Sequence, residues 1–149
     1  MHNRTRSRAT HRCVPLLAFA AGILYTCPLS SRAAETEIVA HRGGYLLAPE
    51  NTLAAFRSCS GRADRIEFDV RTSADGHLVV IHDETVTRTA SNAGSVSNVA
   101  DLTLAQLQEL EVGSTFSAAF AGERIPTLAE ALQAMPGGIP VLVDRKTGS

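Results

Sequence analysis

Eight side chains in this sequence could do chemistry together: His41, Arg42, Glu50, Glu67, Asp69, His82, Asp144 and Lys146. In Ile66-Glu67-Phe68-Asp69-Val70, an extended strand would send both carboxylates to one face and the apolar residues to the other, because strand side chains alternate. In Val141-Leu142-Val143-Asp144-Arg145-Lys146 the same period puts Leu142, Asp144 and Lys146 on a shared face. Carboxylates so placed are hard oxygen donors, suited to Mg2+ or Ca2+. Two acids inside so apolar a strand also need partners, since an unpaired buried charge is costly. His41 and His82 each end an apolar run and can act as general base and general acid around one bond. Arg42 and Lys146 can hold an anion, the arginine by paired hydrogen bonds. A divalent cation, two histidines and two cationic side chains suit phosphoryl-ester hydrolysis better than acyl or glycosyl transfer. There is no Gly-x-Ser-x-Gly elbow, phosphate-binding Gly-Lys-Ser/Thr loop, His-Glu-x-x-His or paired-cysteine metal motif. Asp64, Asp75, Asp83 and Glu84 follow no such pattern and read as ordinary turn acids.

To gather these groups, several strands must end at one level. The residue patterns predict strands over Glu37–His41, Arg65–Val70, Leu78–His82 and Pro140–Lys146. Between them, a helix is expected over Asn51–Ser60, with Asn51 as N-cap and Leu53 and Phe56 on one face. A second, Thr103–Leu110, opens with a Thr103/Gln106 capping box. A third, Thr127–Met135, has Pro126 ahead of it, a Thr127/Glu130 box, and Pro136-Gly137-Gly138 as its stop. Ala90–Asn98 is a Ser/Asn/Gly loop. Strands alternating with helices predict an α/β fold with a parallel sheet, whose active sites form at the C-terminal strand ends. One connection departs from that scheme. Asp69 to Leu78 is too short for a crossover helix, so a hairpin or an extended return both fit. Gly43 and Gly44 would let the backbone pass close to a ligand.

The first 33 residues differ in kind. Arg4, Arg6, Arg8 and Arg12 precede an almost wholly apolar run from Cys13 to Tyr25, and Ser31-Arg32-Ala33 follows. That is the order of a secretory signal peptide, with a run too short for comfortable membrane spanning. Residues 1–33 are thus the expected leader and 34–149 the working domain, exported to a periplasmic or extracellular space without stable membrane insertion. Five of the 14 basic residues lie in that leader and all 15 acids lie beyond it, so the remainder carries a net charge of −6. So acidic a chain is not expected to bind nucleic acid. Of three cysteines only Cys59 remains, so no internal disulfide is expected and a buried structural thiol is.

The stretches "AHRGGYLLAPENTLAAF", "IEFDVRTSADGHLVVIHDETVTRTA" and "GERIPTLAEAL" resemble the N-terminal half of the glycerophosphodiester phosphodiesterase family, and the likeness runs from Val39 to Lys146. The resemblance implies a (β/α)8 TIM-type barrel of the phospholipase-C-like phosphodiesterase kind. It implies hydrolysis of a small-molecule glycerophosphodiester to an alcohol and glycerol 3-phosphate, with a divalent metal, Ca2+ or Mg2+. Carried over by motif, His41 and His82 are the acid/base pair, and Glu67 and Asp69 are metal ligands. Arg42 and Lys146 contact phosphate, and Glu50 lies near the metal or supports the site. Asp83 and Arg88 match motif positions that read as structural. Where the family usually has Glu-x-Lys this chain has Asp144-Arg145-Lys146, and Asp144 is kept as a ligand. A barrel of this type needs about 250 residues, so 149 hold roughly half of one. A half barrel would expose two strand edges, through which two copies could pair as a homodimer. The alternatives are a sphingomyelinase-D-like or other phospholipase, and a non-catalytic fragment or binding module.

Cleavage is expected after Ala33 on export. N-terminal sequencing of exported protein should begin near Ala34, whereas intact Met1 in a membrane fraction would identify an uncleaved anchor.

Overall fold

In chain order the elements are β1 (Val39–Ala40), α1 (Leu53–Ser58), β2 (Arg65–Thr72), β3 (Leu78–Val80), α2 (Leu104–Gln108), α3 (Leu128–Ala134) and β4 (Val141–Arg145). Short 3-10 turns occupy His41–Gly43, Val99–Asp101 and Ala118–Phe120. The computed structural model describes residues 36–95 and 97–147, so the expected leader lies outside the described residues. No helix among the described residues is long and apolar enough to cross a membrane.

Local chemistry accounts for these boundaries. Both expected capping boxes form: Thr103 accepts the Gln106 N–H and Thr127 that of Glu130, and each glutamine or glutamate side chain returns the bond. The N-cap of α1 is Thr52, not Asn51. The Thr52 hydroxyl accepts the Ala55 N–H at 3.3 Å, while Asn51 takes a left-handed backbone, φ 58°, one position earlier. An asparagine tolerates that conformation better than most residues. The first strand shortens to two residues, though Ile38 still accepts backbone bonds from Asp64 and Arg65.

Pairing places β2 at the centre. Ile66 lies between Ala40 of β1 and Val141 of β4, both parallel to it. Farther along, Val70 lies between Arg145 of β4 and Val80 of β3. β1 and β3 therefore share one flank of β2, and β4 takes the other. β3 runs antiparallel, so the short connection is a hairpin, turned through Ser73–His77 with Gly76 at φ 83°. The expected parallel pairing thus holds for β1, β2 and β4, and of the two returns left open for β3 the hairpin is the one that forms. The return strand brings the Ile81 N–H onto the Asp69 carbonyl at 3.1 Å, which sets His82 level with the acids of β2.

Two cores flank this sheet. Ile66, Phe68 and Val70 pack under α1 and α3 with Phe56, Cys59, Val80 and Ala131, and the Phe56 and Phe68 rings meet edge to face at 5.7 Å. Burying each large side chain stabilises by about 1.5–3 kcal/mol. The second core gathers Val79, Ile81, Val86, Val99, Leu107, Val112 and Ile125, and supports the chain that follows the hairpin. Cys59 is buried, as expected, with Sγ 3.2 Å from the Gly43 carbonyl oxygen, and burial raises its thiol pKa. Among the described residues nothing pairs with the outer edges of β1 and β4, where Val39, Leu142 and Val143 are exposed.

Gly43 is required by the packing of α1 against the turn. A Cβ there would lie 2.8 Å from two ring carbons of Phe56, at φ 76°. Gly43→Ala should lose roughly 2–4 kcal/mol in denaturant unfolding, combining backbone strain with overpacking. Gly76→Ala, where φ is 83° and nothing lies within 4 Å, should lose only about 1–2 kcal/mol. Equal losses would remove the steric argument.

Candidate active site

On the β2 face opposite α1, Glu67 and Asp69 stand as the alternation requires. The parallel register sets Asp144 beside Asp69 and Leu142 beside Glu67. Oxygens of Glu67, Asp69 and Asp144 all lie within 4.8 Å of one another. Asp69 is 1% exposed, Glu67 is partly buried and Asp144 is exposed. Lys146, two residues past Asp144 on the same face, places Nζ 2.9 Å from Asp69 Oδ1 and 2.5 Å from Asp144 Oδ2. Hydrogen bonds to Asp144 and Asp69 raise the Lys146 pKa, and the bond from Lys146 lowers that of Asp144.

At the end of β1 the chain turns sharply. His41 begins the 3-10 turn, its side chain half exposed against Tyr45, with Nε2 3.9 Å from Glu67 Oε2. Arg42 follows with a left-handed backbone, φ 49°. Its N–H donates to Glu67 Oε2 at 2.8 Å and its carbonyl accepts the Asn51 N–H at 2.9 Å, so two bonds hold the unusual conformation. The Arg42 guanidinium donates through Nη1 to Glu50 Oε1 at 3.0 Å. Its Nε is buried, 3.8 Å from Asp69 Oδ2, and hydrogen-bonds to nothing among the described residues.

His82 lies two residues beyond β3. Its Nδ1 is 2.7 Å from Asp83 Oδ1, which leaves Nε2 for proton exchange. The backbone bond from Ile81 to the Asp69 carbonyl, at 3.1 Å, sets His82 one residue past the level of that acid. Of the eight expected residues, the structure gathers Glu67, Asp69, Asp144 and Lys146 into one cluster, with His41 and Arg42 against it, while His82 stands one residue past the Ile81–Asp69 bond with its side chain on Asp83. Glu50 stands outside the carboxylate cluster and supports Arg42.

Three residues have partners here that the sequence reading did not assign. Asn51 donates through Nδ2 to Asp69 Oδ2 at 2.9 Å and accepts the Asp69 N–H at 3.3 Å, so it orients a suspected ligand rather than capping a helix. Asp83, also grouped with the turn acids, and Arg88 match motif positions that read as structural, and the structure ties them to His82 and Glu50. Hydrogen bonds from Arg88, then from His82, hold the Asp83 carboxyl at about 2 against the opposing effect of burial. At Glu50 burial pushes upward, but Arg88 and then Arg42 outweigh it and keep the carboxyl below its ordinary value. The short spacing of His82, Asp83 and Arg88 was the available signal.

Comparison with known proteins fits this geometry. The model of the glycerophosphoryl diester phosphodiesterase family matches residues 41–148. A glycerophosphodiester phosphodiesterase of Caldanaerobacter subterraneus is 51% identical over 100 residues, which cover 66% of this chain and 40% of that relative. A putative glycerophosphodiester phosphodiesterase of Bacillus subtilis is 46% identical over 110 residues, 73% of this chain and 44% of the relative. This chain therefore spans less than half the length of either. Among solved structures, a glycerophosphodiester phosphodiesterase from Agrobacterium tumefaciens superposes with a TM-score of 0.69 at 39% identity, covering 76% of this chain and 48% of that one. A phosphodiesterase from Oleispira antarctica, solved with the product sn-glycerol-3-phosphate, gives a TM-score of 0.69 at 33% identity, covering 74% and 44%.

The salt-bridged acids make an acid-sensitive fold. Asp83 titrates at about 2 when folded against an ordinary 3.8, so its contribution is present above that ordinary value and disappears as pH falls from about 4 to about 2. Asp83→Asn should flatten the fall in melting temperature across that window and leave the profile above pH 5 parallel to wild type. A profile of unchanged steepness below pH 4 would show that the Asp83 bonds do not persist in solution.

Proposed function

The chain belongs to the glycerophosphoryl diester phosphodiesterase family and forms part of that family's (β/α)8 barrel, and from that premise we propose that its site hydrolyses glycerophosphodiesters to an alcohol and glycerol 3-phosphate. The observation that carries the reading is the convergence of Glu67, Asp69 and Asp144 beside His41 and Arg42, with His82 one residue past the backbone bond from Ile81 to Asp69. The product bound to the Oleispira antarctica relative supports glycerol 3-phosphate as the retained half of the substrate.

The donor set fits a hard divalent cation. All three side chains offer carboxylate oxygen, none offers sulfur, and their oxygens lie close enough to share one ion, so Mg2+ or Ca2+ would be held by Glu67, Asp69 and Asp144. Bound there, the ion would supply Lewis-acid stabilisation of the charge on the phosphoryl oxygens. The remaining work falls to the protein. Arg42 has a buried Nε–H without an acceptor and can donate it to a phosphate oxygen. Lys146 adds a second positive charge on the same face. One histidine takes a proton from the attacking water as a new P–O bond forms. The other gives a proton to the departing alkoxide as the old P–O bond breaks, so one molecule of water is consumed and no net proton is lost. His82 is suited to proton exchange because Asp83 occupies Nδ1. Export of the domain after removal of residues 1–33 completes the proposal and places the reaction outside the cytoplasm.

Purified protein should hydrolyse glycerophosphocholine in a chelator-sensitive manner, with activity restored by Mg2+ or Ca2+. Glu67→Ala and Asp69→Ala should each abolish that restoration. His41→Ala and His82→Ala should each lower kcat by roughly 10²–10⁴-fold while the protein still melts cooperatively. Turnover indifferent to both histidines would end the acid–base assignment, and turnover indifferent to chelation would end the metal assignment.

A further inference from the structure

Arg88 contributes more than its half-exposed position suggests. Its Nε donates to Asp83 Oδ2 at 2.6 Å and its Nη2 to Asp83 Oδ1 at 3.0 Å. On its other side Nη1 donates to Glu50 Oε2 at 2.9 Å and Nη2 to Glu50 Oε1 at 2.6 Å. One guanidinium thus grips both oxygens of two carboxylates, and the two come from segments 33 residues apart, one after β1 and one after β3. Each carboxylate has a second partner in the site. Asp83 Oδ1 takes the His82 Nδ1 contact at 2.7 Å, and Glu50 Oε1 takes Arg42 Nη1 at 3.0 Å. The bonds run without a break from the His82 ring, through Asp83, Arg88 and Glu50, to Arg42.

We propose that Arg88 is a positioning residue, a planar clamp that holds the His82 ring in its Nδ1–H tautomer and the Arg42 guanidinium at the phosphate site. The proposal rests on the hydrolytic reading above. The physical case is geometric. An isolated exposed ion pair contributes little, but a bidentate fork shared by two carboxylates imposes direction as well as charge. A neutral imidazole has two tautomers, and an acceptor at Nδ1 selects the one whose Nε2 lone pair is free to take a proton. An aspartate next to a histidine in sequence does this only if its own side chain is prevented from turning to solvent, and Arg88 supplies that restraint. Lysine, with one ammonium, cannot reproduce the fork. At both carboxylates the bonds from Arg88 lower the pKa against the opposing effect of burial.

The test compares the full chain with Arg88→Met and Arg88→Lys by 15N-labelled histidine spectra, hydrolysis kinetics and melting. In the parent protein the neutral His82 ring should appear as the Nδ1–H tautomer. In Arg88→Met that ring should move toward a mixture of tautomers, and His41, which shares none of the clamp's bonds, should keep its signals. The kcat should fall by roughly 10–100-fold, the usual effect of removing a group that orients a site residue. Arg88→Lys keeps the charge and should recover stability but not the His82 spectrum, and it answers the question should Arg88→Met fail to fold. A folded variant with unchanged His82 signals overturns the clamp. The spectra decide this whatever the hydrolysis assay gives, whereas His82→Ala decides the parent reading.

Discussion

The arrangement turns on one buried charge. Asp69 sits in the middle of the central strand with 1% of its surface exposed, and a carboxylate so placed is costly unless its oxygens are paired. Its partners come from three separate segments. Lys146 arrives from β4 at 2.9 Å, Asn51 from the loop ahead of α1 at 2.9 Å, and Arg42 approaches from the end of β1 at 3.8 Å. Arg42 and Asn51 are the two non-glycine residues with positive φ among those described. Such backbone conformations cost about 1–3 kcal/mol each at a residue that does not tolerate them, and they persist where surrounding bonds leave no alternative. Here those bonds are the Arg42–Asn51 backbone bond and the contacts of Arg42 with Glu67 and Asn51 with Asp69. Strain around the site and the buried carboxylate are two sides of the same constraint.

β2 can carry that charge because its other face is anchored. Ile66, Phe68 and Val70 are buried under α1 and α3, and a slip of one residue would exchange them with Glu67 and Asp69. The hydrophobic face therefore sets the register of the acids, and the parallel pairing transmits it to Asp144 and Lys146 on β4. β2 then runs past Asp69 to Thr72 and returns as the hairpin. That extension is what delivers His82 to the level of the carboxylates, and the second core beneath Val79 and Ile81 holds it there.

Much of this was legible in the residues, for reasons that also explain what was not. Period-two alternation around Phe68 put both acids on one face, and the two Thr-x-x-Glu/Gln boxes marked helix starts to the residue, because both signals are local. The direction of β3 was not decidable: a short Asp-Gly connection excludes a crossover helix but leaves the return path open until pairing with Val70–Thr72 is known. Asn51 looked like a cap because Asn and Thr both cap helices and stand side by side. Choosing Thr52 requires knowing that Asp69, 18 residues later, claims the asparagine. Glu50 and Arg88 are 38 residues apart, so no local pattern could show that they bind each other. The motif likeness to the family, by contrast, rested on residues that pattern alone would leave scattered, and the family match over residues 41–148 bears it out.

Charge balance gives the site its last piece of logic. Five carboxylates, Glu50, Glu67, Asp69, Asp83 and Asp144, meet three permanent cations, Arg42, Arg88 and Lys146. The clamp side of the site is nearly self-neutralising: Arg88 and Arg42 share Glu50 and Asp83. The deficit falls on the other side, where Glu67, Asp69 and Asp144 have Lys146 and only the more distant charge of Arg42, already paired with Glu50. Two negative charges are left over, confined to oxygens within 4.8 Å of one another. A divalent cation of the proposed kind would cancel them, and Lys146, bonded to two of the three carboxylates, stands on the same face. On this accounting an aspartate at position 144, where the family resemblance implies a glutamate, changes reach and not charge, and the β2–β4 register sets it beside Asp69.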